Sequence, residues 1–199
     1  MSKNGPRAGK VFIISSPSGG GKTTLAKRLL ASGLGLVQSI SMTTRPKRPG
    51  EKNGRDYYFA TAAQFKKGIW QNKFLEWTKT YGWHYGTPKK YVAGLLSKGK
   101  NPLLIIDVKG AMKVKKAFGE RAVLIFVAPP SIAELKKRLK KRAADDKKEI
   151  AKRLRIAKRE LSYIKRYDHC VVNDSVKPAV SKLKSIIRAE TCKTRAKDL

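Results

Sequence analysis

The chain has 199 residues, of which 41% are hydrophobic, enough to bury the core of one main domain. No apolar run approaches the length of a membrane span, and the polar, basic residues 1–10 lack the hydrophobic centre of a secretory signal. With 46 basic and 14 acidic residues the net charge is +32, which predicts attraction to polyanions.

The positions of the lysines and of the two cysteines along the chain indicate which class of protein this is. The lysines occur along the whole chain without an aromatic-basic RNA motif. This favours an enzyme of phosphorylated substrates, with non-specific polyanion binding at low salt, over a dedicated nucleic-acid-binding protein. Cys170 lies in an apolar strand pattern and Cys192 in a polar tail, which argues against a structural disulfide. We therefore expect a cytoplasmic protein that does not bind membranes.

A glycine-rich turn near the N-terminus joins a predicted strand at residues 11–14 to a predicted helix. Leu25, Leu29 and Leu30 recur at helical spacing. Strand, glycine turn and helix are the context of a phosphate-binding loop, in which backbone N–H groups and the helix N-terminus face phosphate oxygens. Lys22 is expected to reach the β- and γ-phosphates of a nucleoside triphosphate, and the Thr23 hydroxyl to bind Mg²⁺. The predicted loop residues are Ser16, Pro17, Ser18, Gly19, Gly20, Gly21, Lys22, Thr23 and Thr24.

One residue of this loop departs from the usual pattern. A glycine normally stands five residues before Gly21, and here the residue is Ser16. If that position requires a positive φ, the serine costs about 1 kcal/mol.

The segment from 39 to 94 is β-rich and aromatic, and we interpret it as an inserted subdomain. Strands are predicted at 38–42, 56–59, 74–77 and 83–87, with a Pro- and Gly-marked loop at 43–51. Thr61 is predicted to cap a helix that carries Phe65 and Ile69.

The remainder alternates strands and helices. Buried strands are predicted at 102–108, 122–127 and 169–172. Ser131 and Glu134 predict a capping box, a loop is expected at 143–146, and long helices follow at 150–164 and around 180–187. Five buried strands in this alternation predict an α/β fold with a parallel, doubly wound sheet.

A basic loop supplies a candidate site for a second anion. Arg45 and Arg48 lie three residues apart, and Tyr57 follows. Two guanidiniums and a phenol hydroxyl can hold a monophosphate, and Tyr85 can join them. Ordinary surface arginines are the alternative interpretation.

Together these stretches resemble the guanylate kinase family from residue 11 to residue 189. The resemblance rests on the phosphate loop and on segments at 39–48, 50–59, 74–77, 85–87, 106–111, 128–131 and 172–174. It implies transfer of the γ-phosphoryl group of ATP to GMP, and to dGMP, with Mg²⁺ as cofactor, in purine nucleotide metabolism. It also implies a P-loop NTPase core with a five-stranded parallel sheet flanked by helices (10–38, 95–137 and 156–190), an inserted GMP-binding subdomain (39–94) and a helical lid (138–155).

The resemblance also implies roles for individual residues. The phosphate of GMP would contact Arg45, Arg48, Tyr57 and Tyr85, and guanine would contact Ser41, Glu76 and Thr87. Lid arginines Arg138, Arg142 and Arg153, with Lys22 and Arg45, would stabilise the transferring phosphoryl group, and Asn173 would begin the adenine-side loop. Asp107 would contact either guanine or a Mg²⁺-bound water.

Three positions depart from the family's usual residues: Ile105 replaces an acid, Lys109 replaces a glutamine and Ala143 replaces a glycine. A non-catalytic guanylate-kinase-like binding module, which would be expected to lack a working phosphate loop, is a rival interpretation, and Lys22 and Thr23 argue against it. Both a monomer and a homodimer are compatible with the sequence.

Overall fold

The computed structural model describes residues 9–142 and 147–193. Its strands are β1 (Val11–Ser15), β2 (Leu36–Gln38), β3 (Met42–Thr43), β4 (Tyr58–Phe59), β5 (Phe74–Thr80), β6 (Trp83–Pro88), β7 (Asn101–Ile105), β8 (Ala122–Ala128) and β9 (His169–Val172). Its helices are α1 (Lys22–Leu30), α2 (Ala62–Trp70), α3 (Lys89–Ser97), α4 (Val108–Phe118), α5 (Ile132–Arg142), α6 (Lys147–Leu161) and α7 (Val176–Cys192), with 3₁₀ turns at Gly119–Arg121 and Ile164–Arg166.

The core is a parallel sheet with helices on both faces. Its strand order is β2-β7-β1-β8-β9, and every neighbouring pair is parallel. Alternate residues of β1 point to opposite faces, so Phe12 and Ile14 pack with α1 and α7, while Val11 and Ile13 pack with α3 and α4. Because both faces are covered, β1 and β8 are buried along their full length. The predicted α/β fold with a five-stranded parallel sheet is confirmed.

A second sheet, in the order β4-β3-β6-β5, lies in the segment predicted to be β-rich. Helix α2 packs on it through Phe65, whose ring stacks on Phe74 at 4.5 Å between centroids. Thr61 caps this helix as predicted, and Gln64 completes a capping box. Helix α3, which no sequence pattern predicted, spans residues 89–97 and packs against β7 of the core as well as against β5 and β6. The boundary expected between residues 94 and 95 therefore lies inside a helix.

Four strand predictions were wrong in their limits. Strand β4 begins at Tyr58 and not at residue 56, and β5 runs to Thr80 and not only to residue 77. The strand predicted at 38–42 is two strands, since β2 ends at Gln38 in the core sheet and β3 begins at Met42 in the second sheet. The strand predicted at 102–108 ends at Ile105 because Asp107 adopts an extended N-cap conformation and starts α4 at Val108.

Two further predictions concern the residues between α5 and α6 and the end of α6. The residues predicted as a loop at 143–146 lie outside the described residues. Helix α6 ends at Leu161, and Ile164 belongs to the following 3₁₀ turn. Among the helices that the structure describes, none is long and apolar enough to cross a membrane.

Candidate active site

Glycine shapes the loop between β1 and α1, residues 16–24, which we call the phosphate loop. Gly19 and Gly21 have φ of +87° and +93°, a conformation that is accessible to glycine and strained for other residues. The N–H of Gly20 donates to the Pro17 carbonyl at 2.9 Å and closes the turn. Gly21 is the N-cap of α1, so the free N–H groups of the first helical turn open onto the loop. The predicted order of strand, turn and helix is confirmed.

Ser16 fits its position without backbone strain. Its φ is not positive, so its Cβ carries no left-handed penalty. The side chain is buried, and its hydroxyl donates to the Pro17 carbonyl at 3.1 Å. A Cβ at Gly20 would collide with that hydroxyl, so the serine fills space that the glycine leaves. The departure from the usual glycine is therefore accommodated within the loop.

Two polar side chains hold the phosphate loop in place. The ammonium of Lys22 donates to the Ser16 carbonyl at 3.1 Å, so the lysine folds back along the loop. Asn173, which follows β9 and is only 5% exposed, donates its side-chain amide to the Gly20 carbonyl at 2.9 Å. A Cβ at Gly21 would collide with this amide. Asn173 therefore contacts the phosphate loop directly, a role that the sequence did not reveal.

Thr23 and Thr24 lie exposed in the first turn of α1, which has no acidic residue. Within residues 9–142 and 147–193, no group of three or more His, Cys, Asp or Glu side chains is placed to hold a metal ion. A Mg²⁺ ion at this loop would take its ligands chiefly from phosphate and water, with a threonine hydroxyl added. Mg²⁺ accepts such a ligand set, because it keeps several waters and commonly binds substrate phosphates.

Helix α5 covers the phosphate loop with apolar and charged residues. Leu135 and Leu139 are fully buried, and a Cβ at Gly19 would lie 3.2 and 3.3 Å from their methyl groups. Arg138 pairs with Glu134 at 2.9 Å and donates to the carbonyls of Asn173 at 3.2 Å and Asp174 at 3.4 Å. The Glu134 carboxylate therefore binds an arginine, while the Glu134 N–H donates to the Ser131 hydroxyl at 3.0 Å, so the Ser131 half of the predicted capping box is present.

The predicted lid arginines contact different parts of the protein. Arg138 faces the loop after β9, whereas the Arg153 guanidinium on α6 lies 5.6 Å from the centre of the Tyr81 ring, between β5 and β6. The side chain of Arg142 lies outside the described residues. Arg138 and Arg153 thus contact different elements, and Arg153 links α6 to the second sheet.

Arg45 lies at the centre of an arginine–tyrosine cluster on the second sheet, formed with Glu51, Tyr57 and Tyr85. Arg45 is 8% exposed, and its guanidinium binds both carboxylate oxygens of Glu51, at 2.7 and 2.9 Å. It also lies 5.5 Å from the centre of the Tyr57 ring, which meets Tyr85 edge-on at 6.1 Å. Arg48 is exposed and contributes its backbone N–H to Glu51 at 2.9 Å.

Charge and burial oppose each other in this cluster. Burial works against the charged forms of Arg45 and Glu51, yet their mutual pairing raises the pKa of Arg45 and lowers the pKa of Glu51. Burial, followed by the Tyr85 side chain, raises the pKa of Tyr57, so this phenol stays protonated and can donate a hydrogen bond. The sequence did not single out Glu51 as a site residue. The signal that could have found it is an acidic residue six positions after Arg45 in an otherwise basic loop.

Glu76 lies buried on the same sheet, with 4% of its surface exposed. Its partner across the β5–β6 ladder is Thr87, whose hydroxyl donates to Glu76 Oε1 at 2.6 Å. Burial raises the pKa of Glu76 to about 7, the nearby charge of Asp107 adds to this rise, and the Thr87 hydrogen bond opposes it. A Cβ at Gly110 would press on Glu76 Oε2, so α4 approaches the carboxylate closely. Ser41 is buried as well, directly before β3.

Asp107 joins the core to the second sheet. Its Oδ1 accepts the Gly110 N–H at 2.8 Å and caps α4, while Oδ2 accepts hydroxyls from Thr78 and Thr80 of β5, both at 2.8 Å. A carboxylate offers about four acceptor positions, so these three bonds leave about one for a ligand. Two residues near Asp107 differ from those usual in the family that the sequence resembles. Ile105 packs into the core, and Lys109 is exposed in the first turn of α4.

The fold and the phosphate loop define the chain as a P-loop protein with a second sheet that carries the arginine–tyrosine cluster and the buried Glu76. The family model described as guanylate kinase matches residues 8–190. The chain therefore belongs to the guanylate kinase family.

Individual relatives agree with this assignment. The chain is 45% identical to a guanylate kinase of Caldanaerobacter subterraneus subsp. tengcongensis over 97% of its length and 94% of that protein. It is 42% identical to one of Thermotoga maritima over 96% of its length and 92% of that protein. Among solved structures, the guanylate kinase of Anaplasma phagocytophilum superposes with a TM-score of 0.80 at 34% identity, covering 94% of this chain and 88% of that one.

Proposed function

We propose that the chain transfers the γ-phosphoryl group of ATP to GMP, giving ADP and GDP. Beyond family membership, the observation that carries this assignment is the buried Glu76–Thr87 pair on the second sheet. A buried carboxylate with a hydroxyl at its side matches the N1–H and N2–H donors of guanine. Adenine presents an unprotonated N1 there and would leave the carboxylate unpaired.

The phosphate loop binds ATP, the phosphoryl donor. Its backbone N–H groups and the N-terminus of α1 cradle the phosphates of ATP, and Lys22 leaves the Ser16 carbonyl to reach the β- and γ-phosphates. Asn173 holds the loop and lies at the adenine side. Mg²⁺, bound through Thr23 and the phosphates, would supply charge neutralisation. The loop residues in contact with ATP are Ser16, Pro17, Ser18, Gly19, Gly20, Gly21, Lys22, Thr23 and Thr24.

The arginine–tyrosine cluster takes the phosphate of GMP. Arg45 is held in place by Glu51, which fixes its guanidinium before the substrate arrives and reduces the entropy lost on binding. Arg48 is exposed and free of side-chain ion pairs within the described residues, so its guanidinium can turn toward an anion. Tyr57 and Tyr85 add hydroxyl donors. Guanine lies against Ser41, Glu76 and Thr87, with Asp107 offering a remaining acceptor position either to guanine or to a Mg²⁺-bound water.

Catalysis needs no general base, because the phosphate oxygen of GMP is already a nucleophile. Positioning and charge neutralisation carry the reaction. Lys22, Arg45, Arg138, Arg142 and Arg153 supply the positive charge. Arg138 donates to the carbonyls after β9 and Arg153 lies against Tyr81, so we infer that α5, α6 and the second sheet move toward the core to bring these arginines to the phosphates.

A coupled assay of ADP formation tests the activity. Purified protein with MgATP is expected to produce ADP with GMP and dGMP, and far more slowly with AMP or UMP, because only guanine presents two adjacent donors to Glu76. The absence of ADP formation with GMP would contradict the enzyme assignment and favour a non-catalytic binding module.

The ionisation of Glu76 predicts that GMP binding depends on pH. Guanine donates to the ionised carboxylate, whereas burial raises the pKa of Glu76 to about 7. Lowering the pH protonates Glu76, so the dissociation constant of GMP is expected to rise about tenfold between pH 8 and pH 6. Calorimetric titration at a series of pH values measures this change.

The phosphate of GMP also titrates in this range, so Glu76→Gln is the control. The slope that remains in this variant belongs to the phosphate, and the wild type must exceed it. Equal slopes would show that Glu76 does not control the pH dependence.

A further inference from the structure

Asn173, the residue after β9, is held by three separate elements. Its backbone N–H donates to the Ala128 carbonyl at the end of β8, at 2.8 Å. Its own carbonyl accepts the guanidinium of Arg138 on α5, at 3.2 Å. Its side-chain amide donates to the Gly20 carbonyl of the phosphate loop, at 2.9 Å, and the residue is buried. The core sheet and α5 therefore fix the amide group in position before any ligand binds.

The peptide unit between Gly20 and Gly21 receives this hydrogen bond on one side and is open on the other. A trans peptide is planar, and its C=O and N–H point in opposite directions. Because the Gly20 oxygen faces Asn173, the Gly21 N–H points away from it. Within residues 9–142 and 147–193 this N–H donates to no other group, and it lies directly before the first turn of α1. It is therefore available to an anion in the loop.

A peptide between two glycines needs such an anchor more than most. Neither residue has a Cβ to restrict rotation, so the peptide can turn over at little steric cost. A peptide that turned over would present the Gly20 oxygen to an anion and withdraw the Gly21 N–H. Asn173 opposes this rotation, since the buried Gly20 carbonyl would lose its partner. The fit is close, because a Cβ at Gly21 would collide with the Asn173 amide.

We propose that Asn173 is a positioning residue for the phosphates of ATP: it fixes the peptide between Gly20 and Gly21 with the N–H directed at them. This inference rests on the proposed binding of ATP to the phosphate loop. Asn173 acts through the loop backbone, so its contribution to affinity does not depend on the adenine base. A triphosphate with no base attached should therefore lose as much affinity as ATP when the amide is removed.

The test compares MgATP with magnesium tripolyphosphate in calorimetric titrations of the whole chain. About 0.2 M salt screens the general attraction of the +32 charge for anions, and competition with ATP shows that tripolyphosphate occupies the phosphate loop. Asn173→Ala is expected to raise the dissociation constants of both ligands about tenfold, the effect of one hydrogen bond. Their ratio should stay within about twofold of the wild type, and so should the KM for GMP, which binds on the second sheet.

Asn101→Ala is the matched control. The Asn101 side chain also bonds the backbone, accepting the Lys10 N–H at 2.9 Å, but it lies at the start of β7, at the opposite edge of the parallel sheet. This variant should keep both wild-type affinities.

Two results would overturn the proposal. One is a loss of affinity confined to ATP, which would show that Asn173 contacts the base. The other is wild-type affinity for both ligands in Asn173→Ala. If that variant does not fold, Asn173→Ser is titrated in its place with the same expected and contrary results. The titrations need no turnover, so a protein that binds ATP and forms no ADP would contradict the kinase function and not this role of Asn173.

Discussion

Lys22→Met is expected to lower kcat by about 10³-fold or more, because a phosphoryl-transfer site depends on positive charge placed at the transferring group. Methionine has a similar length and no charge, so the phosphate loop should keep its backbone geometry. The Lys22 ammonium donates to the Ser16 carbonyl at 3.1 Å, a hydrogen bond that the variant loses. The rate of ADP formation should collapse, and the melting temperature, measured beside it, shows that the fold is kept.

The control for this variant is Lys116→Met, in the last turn of α4, where the side chain is exposed. On so basic a surface, this control separates the loss of one specific charge from a general change in attraction for nucleotides. Its kcat should match that of the wild type. A kcat of Lys22→Met within tenfold of the wild type would contradict a catalytic role for the phosphate loop.

Glu76→Gln is expected to lower kcat/KM for GMP by about 10²-fold or more, while the KM for ATP changes less than about twofold. Glutamine keeps one acceptor but places an N–H₂ group against the donors of guanine. It also disturbs the 2.6 Å hydrogen bond from Thr87. Steady-state kinetics with each nucleotide varied in turn would measure the two effects.

The discrimination between GMP and AMP provides the second measurement on Glu76→Gln. It should shrink in this variant, because the wild-type carboxylate penalises adenine as well as binding guanine. Glu120 is exposed in the 3₁₀ turn before β8, so the control Glu120→Gln should leave both ratios unchanged. Equal losses toward GMP and ATP would mean that Glu76 supports the fold and does not select guanine.

The phosphate loop was predictable because its determinants are local. A β-branched strand, glycines that permit positive φ and a helix beginning at Lys22 are all encoded within residues 11–30. The effect of Ser16 was not predictable in the same way. The usual motif has a glycine at the position of Ser16, and only the backbone conformation reveals that no positive φ is required there.

The sequence alone determined the α/β fold, the positions of most strands and helices, and the phosphate loop, since these follow from hydrophobic periodicity and turn chemistry over short stretches. Only the tertiary structure decided which distant side chains meet. The hydrogen bonds of Asn173 to Gly20, and of Thr78 and Thr80 to Asp107, each join residues far apart in the chain. Such contacts depend on how helices pack on the sheets, and no local pattern encodes them.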